Sequence, residues 1–173
     1  MIDDIFKMGD DALANLFEMS FLPIPVLSSI QNQLIRIQNI TIPGITIDTY
    51  DVHYKTQMIQ KPNGKINDPK EFTFDIRVDR YYLVYKAFVA WRNLIQNPKT
   101  GKVALDQPLM NNRTNITVKA LNADGTSLAG FEKWTFVGCW CKGVGDIAFD
   151  YTSGDPLTLT ITMGMHLIDD TIL

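Results

Sequence analysis

The stretch Leu157 to Leu167 constrains the fold more than any other part of the chain. Leu157, Leu159, Ile161, Met163, Met165 and Leu167 alternate without a fault with Thr158, Thr160, Thr162, Gly164 and His166. A repeat of two belongs to extended chain and not to a helix. The segment therefore predicts a strand with one apolar face and one small, hydroxyl-rich face, longer than the usual run of about five or six residues. It carries no proline, no lysine and no bulge-like insertion, which are the devices that blunt an open sheet margin. Read alone, it predicts an exposed edge that pairs with another copy.

Other segments repeat the pattern. Phe17, Met19 and Phe21 alternate with Glu18 and Ser20 in a first strand over Asn15 to Leu22, closed by Pro23 and Pro25. Leu34 to Ile42 reads as a second strand ended by Pro43-Gly44. Phe72, Phe74, Ile76 and Val78 alternate with Thr73, Asp75 and Arg77 in a half-buried strand. Asp79 then stands where it can cap a helix. Tyr81, Val84, Tyr85, Phe88, Trp91 and Ile95 follow at helical spacing on one face, and Pro98 and Gly101 stop it. Further strands are predicted at Thr114 to Leu121 and at Glu132 to Cys141. In the latter, Trp134, Phe136, Gly138 and Trp140 oppose Thr135, Val137 and Cys139, and Gly143 and Gly145 break it. A short strand is predicted at Ile147 to Tyr151. The fold class is mainly β: an antiparallel sandwich or barrel of six to eight strands with one α-helix packed alongside. It forms a single domain over residues 1–173, with an N-terminal arm at 1–14.

The stretch 49–70 is polar and longer than a typical connection. It predicts a protruding hairpin or arm with its tip near Asn63-Gly64. Asp51, His53, Tyr54, Lys55, Gln57, Lys61, Asn63 and Lys65 supply groups for contacts with another subunit.

Composition narrows the function classes. The formal charge of −3 gives no general attraction to nucleic acid or membrane, and no basic patch interleaves with aromatics. The first residues are acidic and lack the apolar core of a signal peptide, so synthesis in the cytosol is expected. Cys139 and Cys141, the only cysteines, point the same way if they share a strand, which is poor geometry for bridging each other. Buried free thiols are the commoner reading. His53 and His166 are the only histidines and lack partners in sequence. No phosphate loop, nucleophile elbow or zinc-helix motif is present. No catalytic residue, metal site or cofactor is expected. A sugar-binding sandwich using an exposed tryptophan, or a hydrolase, are the remaining alternatives.

Asn15-Leu16-Phe17, the Ile42-Pro43-Gly44-Ile45 turn, and Phe72 to Asp79 leading into Phe88-Val89-Ala90-Trp91 occur in that order. Phe136-x-Gly138-x-Trp140, Val144-Gly145, Phe149-Asp150 and the strand from Leu157 follow. Order and spacing over most of the chain resemble the tail-tube family of contractile phages (myoviruses). Cys141 departs from that pattern, standing where proline is common. The motif residues are Phe88, Trp91, Phe136, Gly138, Trp140, Gly145 and Asp150. The resemblance implies a structural protein that forms homo-hexameric rings stacked into a tube, in a phage virion assembled in the host cytoplasm. It implies as partners a tail sheath protein, baseplate and tail terminator proteins, a tape measure protein, and DNA that passes through the lumen without specific binding. Thr73 and Asp75, or Thr158, Thr160 and Thr162, are the lumen-facing candidates. The tube of a type VI secretion or contractile bacteriocin device, or a baseplate tube-initiator protein, is the alternative within the same architecture.

Overall fold

A computed structural model describes residues 13–103, 112–126 and 133–169. Most of the N-terminal arm, most of the stretch 104–113 and the end of the chain lie outside the described residues.

The strands are β1 (Phe17–Phe21), β2 (Ile37–Ile40), β3 (Thr46–Tyr54), β4 (Gln57–Asn67), β5 (Glu71–Arg77), β6 (Thr114–Ala120), β7 (Lys133–Val144), β8 (Thr158–Gly164) and β9 (Leu167–Asp169). A helix, α1 (Leu83–Ile95), and a 3₁₀ helix (Pro25–Arg36) complete the fold. All ladders are antiparallel. The main sheet runs β1-β6-β7-β8-β5-β2, with β9 also on β7, while β3 and β4 form a separate two-stranded sheet. The mainly β class read from the sequence is the class observed.

The alternating strands supply the core. Phe72, Phe74 and Ile76 of β5, Leu159, Ile161 and Met163 of β8, and Ile116 and Val118 of β6 all point inward. The helix lays Val84, Phe88 and Trp91 on the same side, and the 3₁₀ segment adds Leu27 and Ile30. Phe74 is the hub. It meets Phe21 edge-on at 6.0 Å and Phe88 at 5.9 Å, while Phe72 stacks on Phe136 at 4.3 Å. Such pairs add about 0.5–1.5 kcal/mol beyond their buried area. Trp91 sinks completely because its indole N–H finds the Asn112 carbonyl at 2.8 Å. Asp79 accepts from the Tyr81 and Val84 amides at 3.1 and 3.0 Å, closing the helix start. Burial pushes its carboxyl up, but the amide hydrogen bonds from Val84, Leu83 and Tyr81 outweigh that and hold it below the ordinary carboxylate range.

Several expectations are corrected. The predicted strand Leu34 to Ile42 shrinks to Ile37–Ile40, because Pro25 opens a 3₁₀ helix that runs through Arg36. Its apolar residues, at steps of three and four (Leu27, Ile30, Leu34), bury a helical face that strand alternation cannot describe. The helix begins at Leu83, leaving Tyr81 72% exposed and off the apolar face. No strand forms at Ile147 to Tyr151.

The long C-terminal strand is corrected most. It is no edge: β8 lies between β7 and β5. Nor does it alternate to its end, since Met165 is buried, Leu167 is exposed and Ile168 is buried again. The partner strand shifts phase at the same place. Phe136 is buried, and inward residues then resume at Cys139 and Cys141. Trp140 therefore faces away from Phe136, contrary to the alternation read from the sequence. Across this phase change the register holds, with Val137 opposite Leu167 and Trp140 opposite Gly164, and it shifts only further on, between Cys141 and Gly143. Gly138 and Cys139 consequently stand against His166 and Met165, and the His166 amide donates to the Val137 carbonyl at 2.9 Å.

Gly138 makes the joint shift possible. Its φ of +66° is a left-handed conformation, and a Cβ there would lie 3.2 Å from the His166 Cβ. Replacing Gly138 with alanine should cost about 1–2 kcal/mol, the usual penalty for a side chain in left-handed backbone. The expected readout is a lower urea midpoint with an unchanged slope. An unchanged midpoint would mean that the phase shift does not need glycine.

Candidate functional site: an uncovered sheet face and a protruding hairpin

The outward face of β2, β5 and β8 assembles the lumen-facing candidates on one surface. Thr73 pairs across the ladder with Thr162, Asp75 with Thr160, and Arg77 with Thr158. All five candidate residues lie on this face, so the two sets proposed as alternatives form one patch. The face carries charge, but the charges are engaged. Asp75 accepts from Thr160 Oγ1 at 2.6 Å and from Asn39 Nδ2 at 2.7 Å. Gln38, oriented with its amide oxygen toward the guanidinium, accepts from Arg77 at 2.7 and 2.9 Å and donates to Thr158 Oγ1 at 3.1 Å. Lys142 pairs with Glu71. Gln38, Asn39, Arg77, Glu71 and Lys142 were not picked out from the sequence. Strand parity puts Glu71 and Arg77 on the face of Thr73 and Asp75, but only the cross-strand register brings Gln38, Asn39 and Lys142 to it.

Two margins flank this face. The outer side of β2 is unpaired among the described residues. The other margin belongs to β7, whose two halves have different neighbours. Lys133 to Cys139 pairs with β6, but the ladder stops at Thr114–Cys139. From Trp140 to Val144 the strand holds β8 on one side and no described strand on the other. Trp140 is half-buried and covers Gly164, where any Cβ would come within 2.5 Å of the indole.

The hairpin β3–β4 contributes nothing to the core, and nearly all its residues are exposed. Its tip is Lys55-Thr56, with Lys55 at φ +53°, and not Asn63-Gly64 as the sequence suggested. Asn63-Gly64 instead forms a bulge near the base. Gly64 takes φ +79°, Asn63 Nδ2 donates to Asp48 at 2.6 Å, and the Lys65 amide donates to Asn63 Oδ1 at 2.8 Å. An Asn-Gly pair satisfies a bulge as readily as a turn, because both need left-handed backbone. Of the other arm residues, Asp51 and His53 fall on one face. Tyr54, Gln57 and Lys61 share the other with Tyr50, Val52 and Ile59. Lys61 Nζ lies 5.8 Å from the Tyr54 ring centre. The sequence reading stressed polar arm residues and missed this exposed apolar face.

Of the motif residues, Phe88, Trp91 and Phe136 are core. The Gly145 amide donates to the Thr160 carbonyl at 2.8 Å. Asp150 is exposed and accepts from the Thr152 amide and hydroxyl, both at 2.8 Å, which holds its carboxyl below the ordinary range. Among the described residues no three His, Cys, Asp or Glu side chains gather to hold a metal ion. No described helix is long and apolar enough to cross a membrane.

The tail tube description "T4-like virus tail tube protein gp19" belongs to the family model that matches residues 17–167. Comparison with curated proteins finds no match. Among solved structures, the anti-feeding prophage cap (tube terminating cap) superposes with TM-score 0.66 at 16% identity, covering 96% of this chain and 94% of that one. The sheath-tube complex of the PVC extracellular contractile injection system superposes with TM-score 0.64 at 17% identity, covering 98% and 97%. The sheath/tube terminator of the same system gives TM-score 0.60 at 17% identity, covering 94% and 97%. At these identities the likeness is one of fold.

Burial pushes the Cys139 and Cys141 thiols up to about 12, against weaker opposing effects of a backbone hydrogen bond to each and, for Cys141, of the Arg92 charge. Both should resist a thiol reagent at pH 8 in the folded protein and react only on unfolding. Rapid labelling of the native state would contradict their burial. With its sheet, its hairpin and a family match over most of its length, the chain belongs to the T4-like virus gp19 tail tube family, whose members are structural proteins and not enzymes.

Proposed function

We propose that six copies of this chain close into a ring through the two free margins, the outer side of β2 joining the Trp140–Val144 side of β7 in the next copy. Unpaired backbone amides and carbonyls at a sheet margin are satisfied most directly by another strand. A head-to-tail contact of this kind closes into a ring when its rotation closes. The four strands β2, β5, β8 and the second half of β7 then make one continuous wall, with Thr73, Asp75, Thr158, Thr160 and Thr162 on the lumen side. The single observation that carries the reading is the uncovered polar face bounded by those two margins.

The wall chemistry suits passage of DNA. Binding to the phosphate backbone is driven by cations that displace counterions. Here the basic groups Arg77 and Lys142 are already held by Gln38 and Glu71. The hairpin is the arm that reaches a neighbouring subunit or ring. A sheath outside, a baseplate and terminator at the ends, and a tape measure protein within during assembly are the partners of such a tube in a phage virion. A tube for a contractile injection or secretion device, or a baseplate tube-initiator, shares the ring and differs in what fills it. That the superposing structures come from the anti-feeding prophage and an extracellular contractile injection system supports that second reading.

Electron microscopy of the purified protein should show six-fold rings and hollow rods; a persistent monomer at high concentration would overturn the proposal. The lumen assignment has its own test. Rods of the Thr162→Lys protein should retain nuclease-protected DNA that is released as salt rises, while wild-type rods should not. Equal retention by both would place this face elsewhere.

A further inference from the structure

Two exposed apolar surfaces among the described residues lie at opposite ends of the sheet. The hairpin leaves from the end marked by Glu71 and Gly164, which face each other in the ladder. The other end, marked by Arg77 and Thr158, carries the loop between β7 and β8 and the short connection from β5 into α1. These two connections are tied together, since the Val78 amide donates to the Leu157 carbonyl at 2.9 Å. The seven residues of β5 put about 20 Å between the ends.

The β7–β8 loop has an unusual composition for a connection. Phe149 is 77% exposed and Tyr151 is completely exposed, with Tyr81 at the same end. Asp146, Asp150 and Asp155 accompany them, and no Lys or Arg occurs from 145 to 157. The loop is nevertheless anchored: Ile147 packs on the core and the Gly145 amide is bonded to Thr160. Exposed aromatics on an anchored support are what a binding surface needs, because little ordering entropy remains to be lost.

The hairpin offers the complement. One face presents Tyr50, Tyr54 and Ile59, and its charged groups include Lys55, Lys61 and Lys65. Of its acids, Asp48 is engaged by Asn63. Aromatic and aliphatic surface meets aromatic surface, and lysines meet aspartates. Both surfaces are present on every copy, at opposite ends, so neither can be satisfied within one chain.

Resting on the ring reading, we infer that the receiver of the hairpin is the Phe149–Tyr151 loop of a second copy in the next ring. The contact is heterologous and runs axially, so it gives the tube a direction and lets it grow without limit. The strands of β3 and β4 are about 30 Å long at the ordinary rise per residue, long enough to cross a junction between rings.

The test uses two variants of the full chain. A loop variant carries Phe149→Ser with Tyr151→Ser, and a hairpin variant carries Tyr50→Ser with Ile59→Ser. All four side chains lie outside the core, so folding should survive, as circular dichroism and thermal melting would check. Each variant alone should give single rings and lose rods. Mixed, the two should give double rings and no longer assemblies, because one intact hairpin meets one intact loop at a single junction. Rods from the loop variant as abundant as those of the wild type would overturn the inference while leaving the ring intact. Mixed rings that stay single would overturn it as well. Wild-type protein that forms no rings would instead overturn the reading on which it rests.

Discussion

The twelve-residue strand β7 changes which side it turns inward at Gly138. Through Cys139 it pairs with β6, and over Thr135 to Val137 also with β9; from Trp140 on it pairs with β8 alone. The partner segment shifts with it at Met165–His166, so the ladder keeps its register while the buried face changes. Two results follow. Phe136 and Cys139 both reach one core, and Trp140 is turned to the opposite face to cover Gly164. The second half of the strand is also left with a free side. That free side and the outer side of β2 are the two margins of the polar face left without a strand neighbour among the described residues.

The polar face between the two margins has a distinct physical character. It is neither apolar, as a face awaiting a hydrophobic partner would be, nor highly charged. Threonine hydroxyls, an aspartate, an arginine and an ion pair satisfy one another across strands. Exposed ion pairs of this kind contribute little stability, about 0–1 kcal/mol each. Their effect is better described as neutralisation. A surface whose cations are engaged has few to offer a passing polyanion, and its hydroxyls keep it wetted. Stability resides on the other side of the sheet, in the Phe74-centred aromatic cluster and the fully buried Trp91.

The candidate site was legible in part. Thr73, Asp75, Thr158, Thr160 and Thr162 could be picked from alternation, because a strand residue's face follows from its parity. Their partners could not. Asn39 and Gln38 reach Asp75 and Thr158 only through the β2–β5–β8 pairing, a register between segments far apart in sequence. The Asn63-Gly64 pair shows a different limit. It announces left-handed backbone, but a bulge and a turn both use that, and pairing along the whole hairpin decided in favour of a tip at Lys55-Thr56. Likewise, Leu27, Ile30 and Leu34 bury one face of a 3₁₀ helix, whose length alternation did not foresee.

By itself the sequence determined the mainly β class, the helix through Phe88 and Trp91, the two-faced strands and the order of the family's motifs. Each of these rests on local periodicity, which a chain carries wherever it folds. Only the tertiary structure decided that the longest alternating strand is interior and not an edge, and that Trp140 and Phe136 part company. It alone decided which margins are left open. Strand neighbours are chosen by contacts distant in sequence, and the left-handed Gly138 inverts the parity of Cys139 to Cys141 after it, so no local pattern could have settled either.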